Sequence, residues 1–166
     1  MYPMTTYHHG DLRAAILKTA RAIVEKEGVR GLRMREAARR AGVSHTAPYR
    51  HFPDLEALLG ALAAQGVADL LQALDGRTGR DLAEAYVSFA LAHPQLFRLM
   101  FAGRRWPEIE ARFGHAFAEV GTPGAAAAWS LVHGLAHLLL DGHFAEEGRA
   151  FAGRVIAALR FAQRAA

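Results

Sequence analysis

Six hydrogen-bonding side chains crowd into eight positions of this sequence: Ser44, His45, Thr46, Tyr49, Arg50 and His51. Hydroxyl, imidazole and guanidinium groups at this density suit a polyanion, with some groups on phosphate oxygens and others on base edges. A second set is His133, His137 and Asp141, whose i, i+4, i+8 spacing puts them on one helix face. Two histidines and a carboxylate so placed can ligate zinc. Yet His-Gly-Leu-Ala-His lacks the glutamate of a zinc-protease helix. The competing reading is a polar seam inside a helical bundle, and no metal is assigned. A third set is apolar: Phe89, Phe97, Met100, Phe101, Trp106, Phe113, Phe117 and Trp129. These can line a small-molecule pocket or form plain core, and composition does not separate the two.

The elements that must position the first set are short. Met34, Ala37, Ala38 and Ala41 recur at helical spacing and give one narrow apolar face. Gly42 follows where a helix can end in a left-handed residue. Val43 can plug the corner, Ser44 is a good N-cap for a second helix, and Phe52 is that helix's inner anchor. Pro48 is out of place, because a proline belongs in a helix's first turn; four residues past the cap it removes at most one helical hydrogen bond. Helix, glycine-containing turn and a donor-rich second helix form a helix-turn-helix. A preceding helix over 11–27, with Leu12, Ala15, Ile16, Ala20, Ile23 and Val24 on one side, should brace it from behind.

The remainder reads as helix after helix. Asp54 caps a long leucine stripe running to about residue 75, and Gly76 to Gly79 is a loop and the expected hinge. Further helices are expected over 81–93, ended by His93-Pro94, and over 95–101. Three more are expected over 108–120, from a Thr122 cap to about 142, and over 146–164 with Leu159 and Ala162 on its inner side. No segment alternates like a strand. The predicted fold is all-α with about nine helices: a three-helix head over 1–53 and a helical body over 54–166.

Composition narrows the function. Residues 1–52 hold ten Lys plus Arg against four Asp plus Glu, whereas 53–166 hold ten against twelve. A basic head on a near-neutral body is the electrostatic footprint of a nucleic-acid-binding protein. There is no cysteine, so disulfides and cysteine-ligated metals are excluded. Nothing resembles a signal peptide, and the most apolar run, 125–140, is short for a membrane span and holds two histidines. The expectation is a cytoplasmic protein with no membrane partner. No nucleophile elbow, phosphate loop or dinucleotide fingerprint occurs, so neither catalysis nor a cofactor is implied. A helical metal sensor built on the His133 face and a small helical enzyme are the rival functions, and neither accounts for the basic helix-turn-helix.

The run AGVSHTAPYRHFPDLEALL resembles the DNA-binding segment of the TetR (tetracycline-repressor) family of bacterial regulators. YHHGDLRAAIL and the WSLVHG of residues 129–134 resemble one subgroup, named for a Trp-His-Gly pattern, here Trp129, His133 and Gly134. The resemblance implies a homodimer formed by the last two helices, with Ala125 to Ala128 as a close-packed seam. It also implies a double-stranded operator and a small, mostly apolar effector held in the body. Arg33, Ser44, Tyr49 and His51 are then expected on phosphates, and His45, Thr46, Ala47 and Arg50 on base edges. Phe97, Met100, Phe101, Phe113, Phe117, Trp129 and His133 are expected around the effector. The family usually places Ser or Thr at the start of the second helix; here Leu32 and Arg33 stand there, so a phosphate contact falls to Arg33. Residues 1–8 are a candidate arm for the minor groove.

Overall fold

In the computed structural model, residues 9–144 and 148–158 are described; the candidate arm, Leu159, Ala162 and both ends of the expected last helix lie outside them. The described chain is all-helical. Its α-helices are α1 (His9–Glu27), α2 (Met34–Arg40), α3 (Leu55–Leu74), α4 (Gly79–Ala92), α5 (Pro94–Phe101), α6 (Pro107–Ala116), α7 (Gly121–Leu140) and α8 (Gly148–Ala158). Three short 3-10 turns join them, at Val29–Gly31, Ala47–Arg50 and Ala118–Val120. Eight α-helices stand where about nine were expected, and the difference is the second helix of the helix-turn-helix, which is a 3-10 turn.

The leucine stripe forms as its spacing dictates. Asp54 caps α3 by accepting from the Ala57 backbone N–H at 2.8 Å. Leu58, Leu62, Leu70 and Leu74 are fully buried. α1, α4, α5 and α6 all pack on this helix, and one apolar cluster continues from Leu12 in the head to Ile156 in α8. α3 and the stretch 118–140 are long and apolar enough to cross a membrane by length and composition, but in this fold both contribute side chains to the shared core. In the body α4 packs against α7 and α8, and α6 closes on α7.

Charged ties fasten the head to this frame. Arg21 of α1 pairs with Asp69 of α3, while within the body Arg104 pairs with Glu56 at the start of the same helix. Glu25 of α1 meets His93 Nδ1 at 3.0 Å, where His93-Pro94 turns α4 into α5. Arg112 donates to the carbonyls of Leu74 and Arg77, so the loop expected to be a hinge is held by a side chain from α6. Thr122 does not cap α7: the helix starts two residues earlier, at Gly121, with Val120 as a cap that makes no side-chain bond.

Gly66 sets the closest approach. A Cβ there would lie 2.8 Å from Met100 Sδ and 3.0 Å from Leu96 Cγ, so α3 and α5 touch through a missing methyl. Gly60, in the same helix, faces open space. Gly66→Ala is therefore expected to destabilise the protein by about 1–3 kcal/mol through overpacking. Gly60→Ala should stabilise it by about 0.5–1 kcal/mol through helix propensity. Chemical denaturation of both variants checks the pair; a gain from both would mean that the crossing is not tight.

Candidate functional site

The head is built around a well-formed glycine corner. α2 ends with the Gly42 N–H bonded to Arg39 O at 3.2 Å and the Val43 N–H to Ala38 O at 3.0 Å, the double closure of a Schellman motif. Gly42 takes φ +71° as that motif requires. The first turn of α2 has no side-chain cap; the Arg33 guanidinium instead folds back onto Arg30 O and Leu32 O, at 2.7 and 2.9 Å. Arg40 reaches both Glu36 and Glu27, tying α2 to α1. Hydrogen bonds from Arg39 and Arg40 hold the Glu36 carboxyl at about 2, well below its ordinary value.

The donor-rich segment departs from expectation for a local reason. An α-helix after Ser44 needs an N–H at position 48 to meet the Ser44 carbonyl, and Pro48 has none. Ala47 takes that carbonyl instead at 3.0 Å, Tyr49 bonds Thr46 O at 3.2 Å, and the chain winds as a 3-10 turn. Ser44 caps nothing; its Oγ lies 3.2 Å from Thr46 Oγ1. Proline thus removes more than one bond: it changes the kind of helix. Pro48 and Phe52 face inward and are buried, with the Arg13 guanidinium 5.4 Å from the centre of the Phe52 ring.

The outward face carries the chemistry. Ser44, His45, Thr46, Tyr49 and Arg50 are exposed, Tyr49 at 51%. Ala47 and His51 are half-buried, and His51 Nε2 is buried with no hydrogen-bond partner. Beside Tyr49 runs a groove of about 630 Å³ lined by Arg33, Arg35, Arg39, the Glu36 carboxylate that Arg39 engages, and Asp54 and Leu55 at the start of α3. Sequence reasoning did not single out Arg35 or Arg39, although the basic run MREAARR was the available signal.

In the body the aromatic set is brought together, around a residue that the sequence did not flag. Tyr86 of α4, fully buried, touches Phe97 and Phe113 edge-on, each with ring centres 5.6 Å apart. Phe97, Met100, Phe113 and Phe117 are buried, while Phe101, Trp129 and His133 are half-buried. Trp129 Nε1 donates to Tyr86 Oη at 3.2 Å, and Tyr86 Oη lies 2.8 Å from His133 Nδ1. Indole can only donate, so the phenol oxygen accepts from Trp129 and keeps its own proton for Nδ1 when His133 is the tautomer protonated on Nε2. Burial, and then the neighbouring His137 ring, lower the His133 pKa to about 4. Burial also pushes the Tyr86 phenol far above its usual range. Asp141 does not join the two histidines: it accepts from Arg98 at 2.6 Å, which lowers its pKa. The i, i+4, i+8 spacing therefore resolves into two separate polar networks.

A basic three-element head with an exposed donor row, carried on a helical body, is a helix-turn-helix regulator. Residues 16–62 match the N-terminal model of the tetR family of bacterial regulatory proteins, and residues 80–159 match a tetracyclin repressor-like C-terminal domain. Two uncharacterized HTH-type transcriptional regulators of Mycobacterium tuberculosis are each 34% identical over 82 residues, 48% of this chain. The match covers 43% of each of those proteins. A solved protein of unknown function from Rhodococcus sp. RHA1 is 34% identical, with 93% of this chain and 95% of that one covered and a TM-score of 0.76. A TetR variant from Acinetobacter baumannii AYE, solved in complex with minocycline, shares the fold at 20% identity and a TM-score of 0.60 over 92% and 96% of the chains. The chain belongs to the TetR family.

The polar line in the body has a pH signature. His133 is held neutral by the fold, with a pKa near 4 against an ordinary 6.5, so the unfolded chain takes up the proton first. Its contribution to stability is complete above about pH 6.5, falls as pH drops toward 4, and levels off below. Thermal melting across that window should show the decline, and His133→Gln should flatten part of it. Tyr86→Phe should cost about 1–3 kcal/mol, because it leaves both Trp129 Nε1 and His133 Nδ1 without their partner. An unchanged melting curve for Tyr86→Phe would mean that the network contributes nothing.

Proposed function

We propose that this protein is a homodimeric transcriptional repressor, released from a pseudo-palindromic operator by a small, mostly apolar effector. The observation that carries the DNA half is the exposed donor row at 44–50 beside the arginine groove of α2. Arg33, Ser44, Tyr49 and His51 hold phosphates in this reading, and His45, Thr46, Ala47 and Arg50 meet base edges. Arg35 and Arg39 join the phosphate set. The head spans 1–53 and the body 54–166, and the protein works in the cytoplasm.

The dimer is supported by the outer face of α7. Ala127, Ser130, Leu131, Gly134 and Leu138 recur at helical spacing and are all exposed, Leu131 at 49% and Leu138 at 44%. Ala125 and Ala128, by contrast, are buried within the chain. Two copies joined there present two heads at a spacing of roughly one DNA turn, ~34 Å. The effector sits among Phe97, Met100, Phe101, Phe113, Phe117, Trp129 and His133, with the Trp129–Tyr86–His133 line as its one polar contact. That line also supports placing the chain in the Trp-His-Gly subgroup.

Selection of duplexes from random DNA tests the proposal. A palindromic consensus is expected, bound more weakly as salt rises because Lys and Arg displace counterions. Arg50→Ala should lose about 1–3 kcal/mol at the preferred site and relax the preference there, whereas Tyr49→Phe should weaken all sites alike. Leu138→Glu should convert the dimer to monomer by light scattering, since it puts an unpaired charge in the seam. Binding of any duplex equally and independently of salt would overturn the DNA reading, and an intact dimer in Leu138→Glu would move the interface elsewhere.

A further inference from the structure

We propose that Arg13 of α1 is a further DNA contact: its guanidinium, held against the Phe52 ring, grips a phosphate beside the end of the recognition segment. This role rests on the DNA reading above and extends it to a helix that carries none of the residues assigned there. Arg13 lies in the second turn of α1, is exposed, and holds its guanidinium 5.4 Å from the centre of the Phe52 ring. Phe52 is buried, and its N–H bonds Pro48 O at 2.9 Å. The ring is therefore fixed to the last turn of the recognition segment, two residues beyond Arg50. Through it α1 meets one end of the exposed donor row.

A guanidinium stacked on a ring uses its face and leaves its N–H edge free. That edge is then preset for two oxygens of one phosphate, a bidentate pairing that costs little further rotamer freedom. Arg13 has no ion pair and no hydrogen bond among the described residues. Much of the head's other charge already has a partner inside the fold. Arg33 lies on two carbonyls, Arg39 and Arg40 share Glu36, and Arg21 is held by Asp69. In α2 and the recognition segment only Arg35 and Arg50 are arginines without such a partner among the described residues. Arg13 adds a third free guanidinium to that unit, from a different helix.

The partner is a phosphate for a geometric reason. Base edges are reached by the segment inserted into the groove, whereas the neighbouring helices of such a head cross the backbone. Arg13 stands on a neighbour, so its contact adds affinity and register without adding sequence information. The same helix holds the body, through Arg21 on Asp69 and Glu25 on His93. A phosphate gripped by Arg13 therefore fastens the DNA backbone to the helix on which the body also pulls.

The test is DNA binding by the full chain as a function of salt, on a duplex selected by the parent, with Arg13→Met and Arg13→Lys. Methionine keeps an unbranched apolar chain against Phe52 and removes the charge, and lysine puts the charge back. Arg13→Met should weaken the selected duplex and a scrambled one alike, about tenfold at low salt. The slope of log affinity against log salt should fall in magnitude by about 0.9 for each copy bound, or about 1.8 for a dimer on a palindrome. Arg13→Lys should recover most of that slope. Replacing half-site phosphates one at a time by methylphosphonate should reveal one whose neutralisation weakens the parent and leaves Arg13→Met unaffected. An unchanged salt slope in Arg13→Met overturns the proposal, whatever its melting temperature. A shift in sequence preference at constant slope overturns it as well, because Arg13 would then only position the recognition segment through Phe52. So does a phosphate scan in which parent and Arg13→Met respond identically. All three results leave the DNA reading standing. A parent that binds every duplex equally and without salt dependence removes that reading and this one together.

Discussion

The crossing of α3 and α5 at Gly66 fixes the distance on which the rest of the chain depends. α3 packs on α1 in the head and on α4, α5 and α6 in the body, and α5, lying across it, also packs on α1. Its buried leucines belong to a core that has no seam between the two halves. A missing side chain lets Met100 and Leu96 press on the helix backbone, and interiors packed to this density transmit displacement rather than absorb it. The charged tie from the head, Arg21–Asp69, attaches to the same helix. Head position and body packing are therefore coupled through α3.

Around that frame each site is made by a small piece of local chemistry. In the head, the missing N–H of Pro48 winds residues 47–50 as a 3-10 turn, and the buried Pro48 and Phe52 hold it down while its donors face out. In the body, one phenol completes an indole and an imidazole that would otherwise be unsatisfied among aromatic rings. Both arrangements are rigid by composition: proline has a fixed φ, and a buried polar group keeps its partner because water is not there to replace it.

Much of this was legible in the sequence. The helix-turn-helix, the Asp54 cap, the leucine stripe and the His93-Pro94 break all rest on local signals, namely spacing, caps and proline, and these read correctly without tertiary information. The segment after Gly42 is helical as its position predicts but of a different helix type, because the missing N–H of Pro48 does more at the Ser44 carbonyl than remove one bond. Thr122 was read as a cap from its residue type, and the helix began before it. What the sequence hid were pairings between distant elements. Tyr86 sits in an ordinary apolar stripe, and only the packing of α4 on α7 brings it to Trp129 and His133. The face shared by His133, His137 and Asp141 was real as spacing, yet Arg98, 43 residues away, claims the carboxylate. Gly66 looked like any helical glycine until α5 lay across it.

The central claim is that the 3-10 recognition segment and α2 form the surface that meets DNA. Amide hydrogen exchange, followed by mass spectrometry with and without a selected duplex, measures this most directly. The expected result is slowed exchange in peptides covering residues 34–52 on duplex addition, with little change in 82–100 of the body. Slowed exchange confined to the body, with 34–52 unaffected, would contradict it.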